Sequence, residues 1–381
     1  MIRLAEGRGP LVFDQEGRAY VDWVMGHGAL LLGHGRREIR EAVREQALRG
    51  ILLPGPTSLE EEVEEKVLAF FPHHRATAFG KNGSDVCTAS VRLARAITGR
   101  EGVLHYGYHG FHDGFVASDR SVRGVPASLQ DLVHHIPYGD LDALEGILRA
   151  HGERVAALIM EPFREVLPWE GYLQGIRRLC DRFGVVLVFD EIVTGFRVSP
   201  GGAQEAFGVR ADLTCLGKAL SAGMPLSALL GPAEWIGKLE ELRFGMTTRA
   251  EQLSLAAAAA SLPLLEDPGV SERAAGAGRR LREGFREVCR RGGIGARMEG
   301  HPAMMRVTFE EQEGRSPEEL LESFVTACRR EGLWTNGTFL ASALHGGEAL
   351  DHSLGALARA LESFPWRGEE FREEGNRSWS T

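Results

Sequence analysis

The sequence predicts an α/β protein: a large domain with a mostly parallel central sheet flanked by helices, plus a smaller α+β domain assembled from both chain ends. Three observations carry this expectation. Short apolar runs alternate with helical patterns through the middle of the chain, which is the signature of βα units. Several of those runs are apolar almost throughout, as strands covered on both faces are. The chain has 381 residues, more than the ~100–200 of one ordinary domain, and its 43% hydrophobic and 25% charged residues are a globular composition, not a disordered one.

The elements follow in order. Residues 11–24 read as two short strands around a glycine-containing turn. Strands are then expected at 103–106, 133–137, 155–160, 185–190, 213–216 and 226–230. Helices are expected between them at 84–97, 141–151 and 172–183. The third helix follows Pro168-Trp169-Glu170-Gly171 and stops at Gly184, ordinary turn and termination chemistry. Beyond Glu251 the chain turns helix-rich, alanine-packed over 253–265 and strongly charged over 271–291. Residues 303–309 are expected as an edge strand and the polar tail 366–381 as frayed. These features divide the chain into an amino-terminal segment (1–50), a large domain (51–252) and a carboxyl-terminal segment (253–381) that joins the first in the small domain.

Charge and composition exclude several classes of function. A net charge of −9 and a sequence pI near 5.9 argue against a general binder of nucleic acid or anionic membrane. No apolar run reaches the ~18 residues of a membrane span, and Met1-Ile2-Arg3-Leu4-Ala5-Glu6 lacks an apolar signal core, so a cytoplasmic location is expected. Five dispersed cysteines without a CxxC pair fit buried reduced thiols better than disulfides or a metal site. Lysine is scarce. Lys66, Lys81, Lys218 and Lys238 are the only four among 44 basic residues, so chemistry that needs a primary amine has four candidates.

Four segments stand out. Val185-Val186-Leu187-Val188-Phe189-Asp190-Glu191 closes an apolar strand with two carboxylates, and ligands in open α/β sheets sit beyond the carboxyl ends of strands. Asp190 is open to three readings: a metal ligand, the partner of a cation, or a loop-facing cap on the next segment. Asp212-Leu213-Thr214-Cys215-Leu216-Gly217-Lys218 ends a second strand on a rare lysine, which is either an exposed loop charge or an amine placed in a cleft, where burial lowers its pKa and makes it nucleophilic. Lys81-Asn82-Gly83-Ser84-Asp85 opens the first strong helix, where free amides favour a phosphate, although plain N-capping explains the same residues. Tyr106-Gly107-Tyr108-His109-Gly110 puts aromatic and imidazole groups just past a strand, able to stack on a planar ligand or to pack a loop. Pyridoxal phosphate requires all of these together: a lysine for its aldehyde, an acid for its ring nitrogen, amides for its phosphate and a stacking group. A dinucleotide site is disfavoured because no Gly-x-Gly-x-x-Gly follows a strand.

The combination resembles the class III aminotransferases, nearest the glutamate-1-semialdehyde aminomutase branch. The resemblance rests on Phe189-Asp190-Glu191-Ile192-Val193-Thr194-Gly195-Phe196-Arg197, on Ala211 through Lys218, on Gly83-Ser84-Asp85, on Tyr108-His109-Gly110, on Glu161-Pro162 and on the region from Asp14 to Gly35. It implies a fold-type I pyridoxal-phosphate enzyme that moves an amino group from an amine or amino-acid donor to an aldehyde or ketone. Lys218 is then the Schiff-base lysine and proton shuttle, and Asp190 the partner of the ring nitrogen. Tyr108 and Ile192 flank the ring. Gly83 and Ser84 hold the phosphate, with His109 and Glu161 also in the cofactor site. Thr247, one residue from Thr248 in register, reaches the phosphate of the neighbouring subunit, which implies a homodimer with shared sites. No metal is implied.

Departures from the family pattern bear on the substrate. Val193 stands where many relatives have glutamine, and Phe163-Arg164-Glu165-Val166 replaces a segment that carries a ring-hydroxyl asparagine. Arg249-Ala250-Glu251-Gln252 replaces a Gly-Asn-Pro, and residues 332–339 lack the arginine that binds α-carboxylates in many relatives. The first strand pair lies close to Met1, so the arm with the aminomutase's carboxylate-binding arginine is not expected here. Arg3, Arg164, Arg197 and Arg249 remain as candidates for that task. The rival readings are a true aminomutase, which shifts nitrogen within one molecule, and a cofactor-binding protein that has lost turnover.

Overall fold

The computed structural model describes residues 2–119, 121–312 and 314–362; the tail expected to fray lies outside them. The chain forms two compact units, Glu38–Asp267 and the combination of Met1–Arg37 with Pro268–Thr381. The sequence analysis set these boundaries near residues 50 and 252 instead. The helix beginning at Gln252 bonds within the larger unit, which explains the later boundary: Gln252 N donates to Ile51 O (2.7 Å), Lys66 Nζ to Ala259 O (3.2 Å) and Ser261 Oγ to Leu220 O (2.6 Å).

The amino-terminal strands are β1 (Leu4–Arg8), β2 (Leu11–Asp14) and β3 (Ala19–Asp22), followed by helices α1 (Arg37–Arg49) and α2 (Ser58–Phe70). The larger unit continues with β4 (Ala76–Gly80), α3 (Gly83–Thr98), β5 (Gly102–Tyr106), the short helices α4 (Asp113–Val116) and α5 (Ala127–Gln130), β6 (Val133–His135), α6 (Leu141–His151), β7 (Val155–Met160), α7 (Tyr172–Phe183) and β8 (Val186–Asp190). It ends with α8 (Gly202–Phe207), β9 (Leu213–Leu216), β10 (Ser227–Gly231), α9 (Ala233–Ile236) and α10 (Gln252–Leu265).

Its seven strands run in the order β4-β10-β9-β8-β7-β5-β6. Strands β5 to β9 are parallel, whereas β10 is antiparallel to both β9 and β4. Only residues 217–226 join β9 to β10, too short for the dozen or more residues that a parallel crossover needs. Every residue of β7, β8 and β9 is buried, because helices cover both faces. Val186 and Val188 face the cluster that includes Val86, Cys87 and Val91 of α3, and Leu187 and Phe189 face the opposite cluster with Leu173 and Ile176 of α7. The two-residue alternation therefore turns Asp190 toward α3.

The smaller unit adds α11 (Pro268–Gly292), β11 (Ala296–His301), β12 (Met304–Phe309), α12 (Pro317–Arg330), β13 (Leu333–Trp334), β14 (Thr338–Leu340) and α13 (Gly347–Glu362). It carries a four-stranded sheet, β1-β2-β3-β13, and a three-stranded sheet, β11-β12-β14. The strand expected at an edge, β12, is central. Its partners escaped notice because β11 contains Arg297, Glu299, Gly300 and His301 and β14 is only three residues long.

Candidate active site

The parallel strands bring their carboxyl ends into one row. Tyr106 pairs with Met160, Met160 with Phe189, and Asp190 with Cys215. Tyr108, Glu161, Asp190 and Lys218 follow or end these strands, so four residues distant in sequence share one sheet edge. Gly80 of β4 pairs with Ser227 at the start of β10, which brings the loop into α3 to the same edge.

Asp190 is 4% exposed and accepts three hydrogen bonds. Its Oδ1 takes the Ile192 amide (3.1 Å); its Oδ2 takes His109 Nδ1 (2.7 Å) and the Cys87 thiol (3.5 Å). His109 Nδ1 must carry the proton it donates. Its Nε2 is buried with no hydrogen-bond partner among the described residues, and the ring packs edge-on to Phe115 with centroids 5.4 Å apart.

Lys218 follows Gly217 in a left-handed conformation (φ 45°) and opens the 3-10 turn Lys218–Ser221. Burial pushes its ammonium below the ordinary lysine range, while the charges of Asp190 and Glu161 pull it back up. Glu161 Oε1 accepts the Tyr108 amide (2.8 Å) and lies 3.5 Å from Arg164 Nε. Burial, and then the Asp190 charge, push its carboxyl above the usual range.

The first turn of α3 is exposed to a ligand by glycine. Asp85 Oδ2 accepts the Lys81 and Asn82 amides (3.0 and 2.7 Å), fixing the entry to the helix. A Cβ on Gly83 would lie 3.2 Å from Ile192 Cδ1, and one on Gly217 3.0 Å from the same atom. Ile192 thus packs between the α3 loop and the lysine loop. The loop after β5 docks onto α3 through Gly110, whose Cβ would fall 1.9 Å from Ser84 Oγ, and through a 2.9 Å bond between Thr88 Oγ1 and His112 Nδ1.

Gly83, Ser84, His109, Glu161, Asp190, Ile192 and Lys218 therefore gather at this edge. Tyr108 joins them through its amide, with its side chain 66% exposed. Thr247 is exposed in the turn closed by the Arg249 amide on Met246 O (3.1 Å), and no hydrogen bond among the described residues joins it to the others. Of the candidate arginines, Arg197 is fully buried, Arg249 pairs with Glu60 (3.4 Å), and Arg164 lies against Glu161. The remaining lysines are committed or remote: Lys81 pairs with Glu251 (2.9 Å), Lys66 with Glu62 (2.6 Å), and Lys238 is exposed. The Cys87 contact with Asp190 and the glycine at 110 were not anticipated. The inward face of α3 and the alternation of β8 were the available signals for the first.

A lysine and a buried acid at the ends of adjoining strands, beside a glycine-opened helix N-terminus, fit pyridoxal phosphate and define a fold-type I enzyme that uses it. Comparison with known proteins agrees. Residues 1–343 match the family described as aminotransferase class-III, and the chain belongs to that family: it is a pyridoxal-phosphate-dependent enzyme that acts on small-molecule amines. It is 35% identical over 311 residues to a glutamate-1-semialdehyde 2,1-aminomutase of Syntrophobacter fumaroxidans, covering 77% of this chain and 72% of that one. A second aminomutase, of Methanothrix thermoacetophila, is 33% identical over 95% of this chain and 90% of its own. Among solved structures, an omega-transaminase from Sphaerobacter thermophilus superposes with a TM-score of 0.89 at 25% identity, covering 96% of this chain and 92% of that one. Among the described residues no helix is long and apolar enough to cross a membrane.

Proposed function

We propose that this chain transfers an amino group between two molecules, with Lys218 and Asp190 as the indispensable pair. The observation that carries this reading is their placement at the ends of neighbouring strands β8 and β9, with Ile192 packed between Gly83 and Gly217. When bound, pyridoxal phosphate supplies an aldehyde that condenses with amines and a ring that takes up carbanion charge. Lys218 would hold that aldehyde through its amine, and the same amine, once free, would move the proton at the donor's α-carbon. Burial favours the neutral amine needed for both tasks. Asp190 holds the proton on the ring nitrogen. Tyr108 and Ile192 bind the two ring faces, Gly83 and Ser84 present amides to the phosphate, and His109 orients Asp190. Glu161 fixes the Tyr108 backbone through its amide.

Thr247 completes the phosphate site of a second copy, so the working unit is a homodimer, and we place it in the cytoplasm. The exposure of Thr247 supports a contact made outside its own subunit. Reduction of the holoenzyme with borohydride is expected to fix the cofactor on the peptide containing Lys218, with no label in Lys218→Ala. Label on Lys81 would reject the assignment. The second reading, an aminomutase, is favoured by the relatives at 30–36% identity. Turnover of glutamate-1-semialdehyde without an added amino donor would decide for it.

A further inference from the structure

We propose that Cys87 is a positioning residue: its thiol is a third donor that fixes the orientation of the Asp190 carboxylate. This rests on Asp190 being the ring-nitrogen acid. Three elements converge on that side chain: the loop after β8 through the Ile192 amide, the loop after β5 through His109, and α3 through Cys87. The ligand-type atoms of Cys87, His109 and Asp190 all lie within 4.8 Å of one another and all three residues are buried. A buried carboxylate is costly unless its lone pairs are satisfied. The Ile192 amide and His109 place one donor on each oxygen, and the Cys87 thiol adds a second on Oδ2 from α3, so the carboxylate is held from three elements.

The helix adds a reason for the contact to matter. Ser84 and Cys87 stand one turn apart on α3, so a single rigid element touches both the phosphate end and the ring-nitrogen end of the site. It sets the spacing between the two anchors. The thiol stays a donor because the Cys215 thiol, burial and the Asp190 charge all oppose its ionisation. A residue that only filled space would need no S–H. Alanine, valine and serine separate the two roles.

The test measures cofactor affinity and the S–H infrared stretch. Hydrogen bonds to charged groups exceed the average bond, and a thiol is a weak donor. Cys87→Ala and Cys87→Val are therefore both expected to lose about fivefold in cofactor affinity, and Cys87→Ser to recover to within about twofold. In the parent, the S–H band absent from Cys87→Ala should lie at a hydrogen-bonded frequency and shift when cofactor is loaded. Parental affinity in the valine variant, or a serine variant no better than valine, makes Cys87 a packing residue and overturns the proposal. If the variants do not fold, the loaded-minus-free spectrum of the parent decides, and no shifted S–H band overturns it. Asp190→Asn tests the underlying assignment separately. Parental cofactor affinity in that variant sinks the ring-nitrogen reading whatever the Cys87 series shows.

Discussion

At Gly110 the backbone stands at φ 101°, and an added Cβ would lie 1.9 Å from Ser84 Oγ and 2.9 Å from Ser84 Cα. The hydroxyl can rotate away. The Cα belongs to the first turn of α3 and cannot move without disturbing the helix start. Left-handed strain and the clash together place the cost of Gly110→Ala at roughly 2–3 kcal/mol. Urea unfolding should show that loss, with weaker cofactor retention; a neutral result would mean that the loop relaxes freely. Such a constraint cannot be read from the chain, because it arises from a contact between residues 84 and 110. Lys218 and Asp190 were legible for the opposite reason: each breaks an apolar run with a charge, and that interruption is local. Cys87 looked like core, as its apolar neighbours Val86 and Ala89 are. Only the inward turn of Asp190 reveals its second role.

Elements were legible where periodicity and stop signals agreed. Strands β7 and β9 and helices α6 and α7 occupy the expected residues, each bounded by turn chemistry such as Gly171 and Gly184. Strand β4 went unseen because its five residues, Ala76–Gly80, carry little apolar bulk, and the direction of β10 depends on loop length, not on its own composition. Strand β5 contains a further surprise in His105, which is 4% exposed with neither ring nitrogen hydrogen-bonded among the described residues. Burial drives its pKa down to about 4 from 6.5. Between those values the unfolded chain binds a proton that the folded one refuses, so stability falls as the pH drops from about 6.5 toward 4. The burden approaches roughly 3 kcal/mol below pH 4. His105→Leu should leave stability at pH 7 unchanged or raised, because it removes unsatisfied polar atoms. It should also flatten the acid limb of the melting-temperature profile; an unaltered slope would assign that limb to other groups.

For the whole molecule, the proposed homodimer makes a quantitative claim about active sites. Lys218→Ala and Thr247→Ala each spoil every site of their own dimer. A hybrid dimer contains one site with both residues intact and one with neither. After subunit exchange at equal concentrations, about half the dimers are hybrids, so at limiting cofactor about a quarter of the parental activity should return. No recovery in a mixture shown to exchange would place Thr247 outside the neighbouring site. Both chain ends differ in texture from the βα core, which is why the sequence suggests a separate small domain. Hydrogen bonds to residues 51, 66 and 220 hold α10 in the larger unit, a link between distant residues that no local pattern carries. The distribution of amines has a practical corollary. Lys66 and Lys81 are tied into ion pairs and Lys218 is largely enclosed, which leaves Lys238 as the one lysine standing in solvent. Among the lysines, an aldehyde-activated bead would therefore engage Lys238 first.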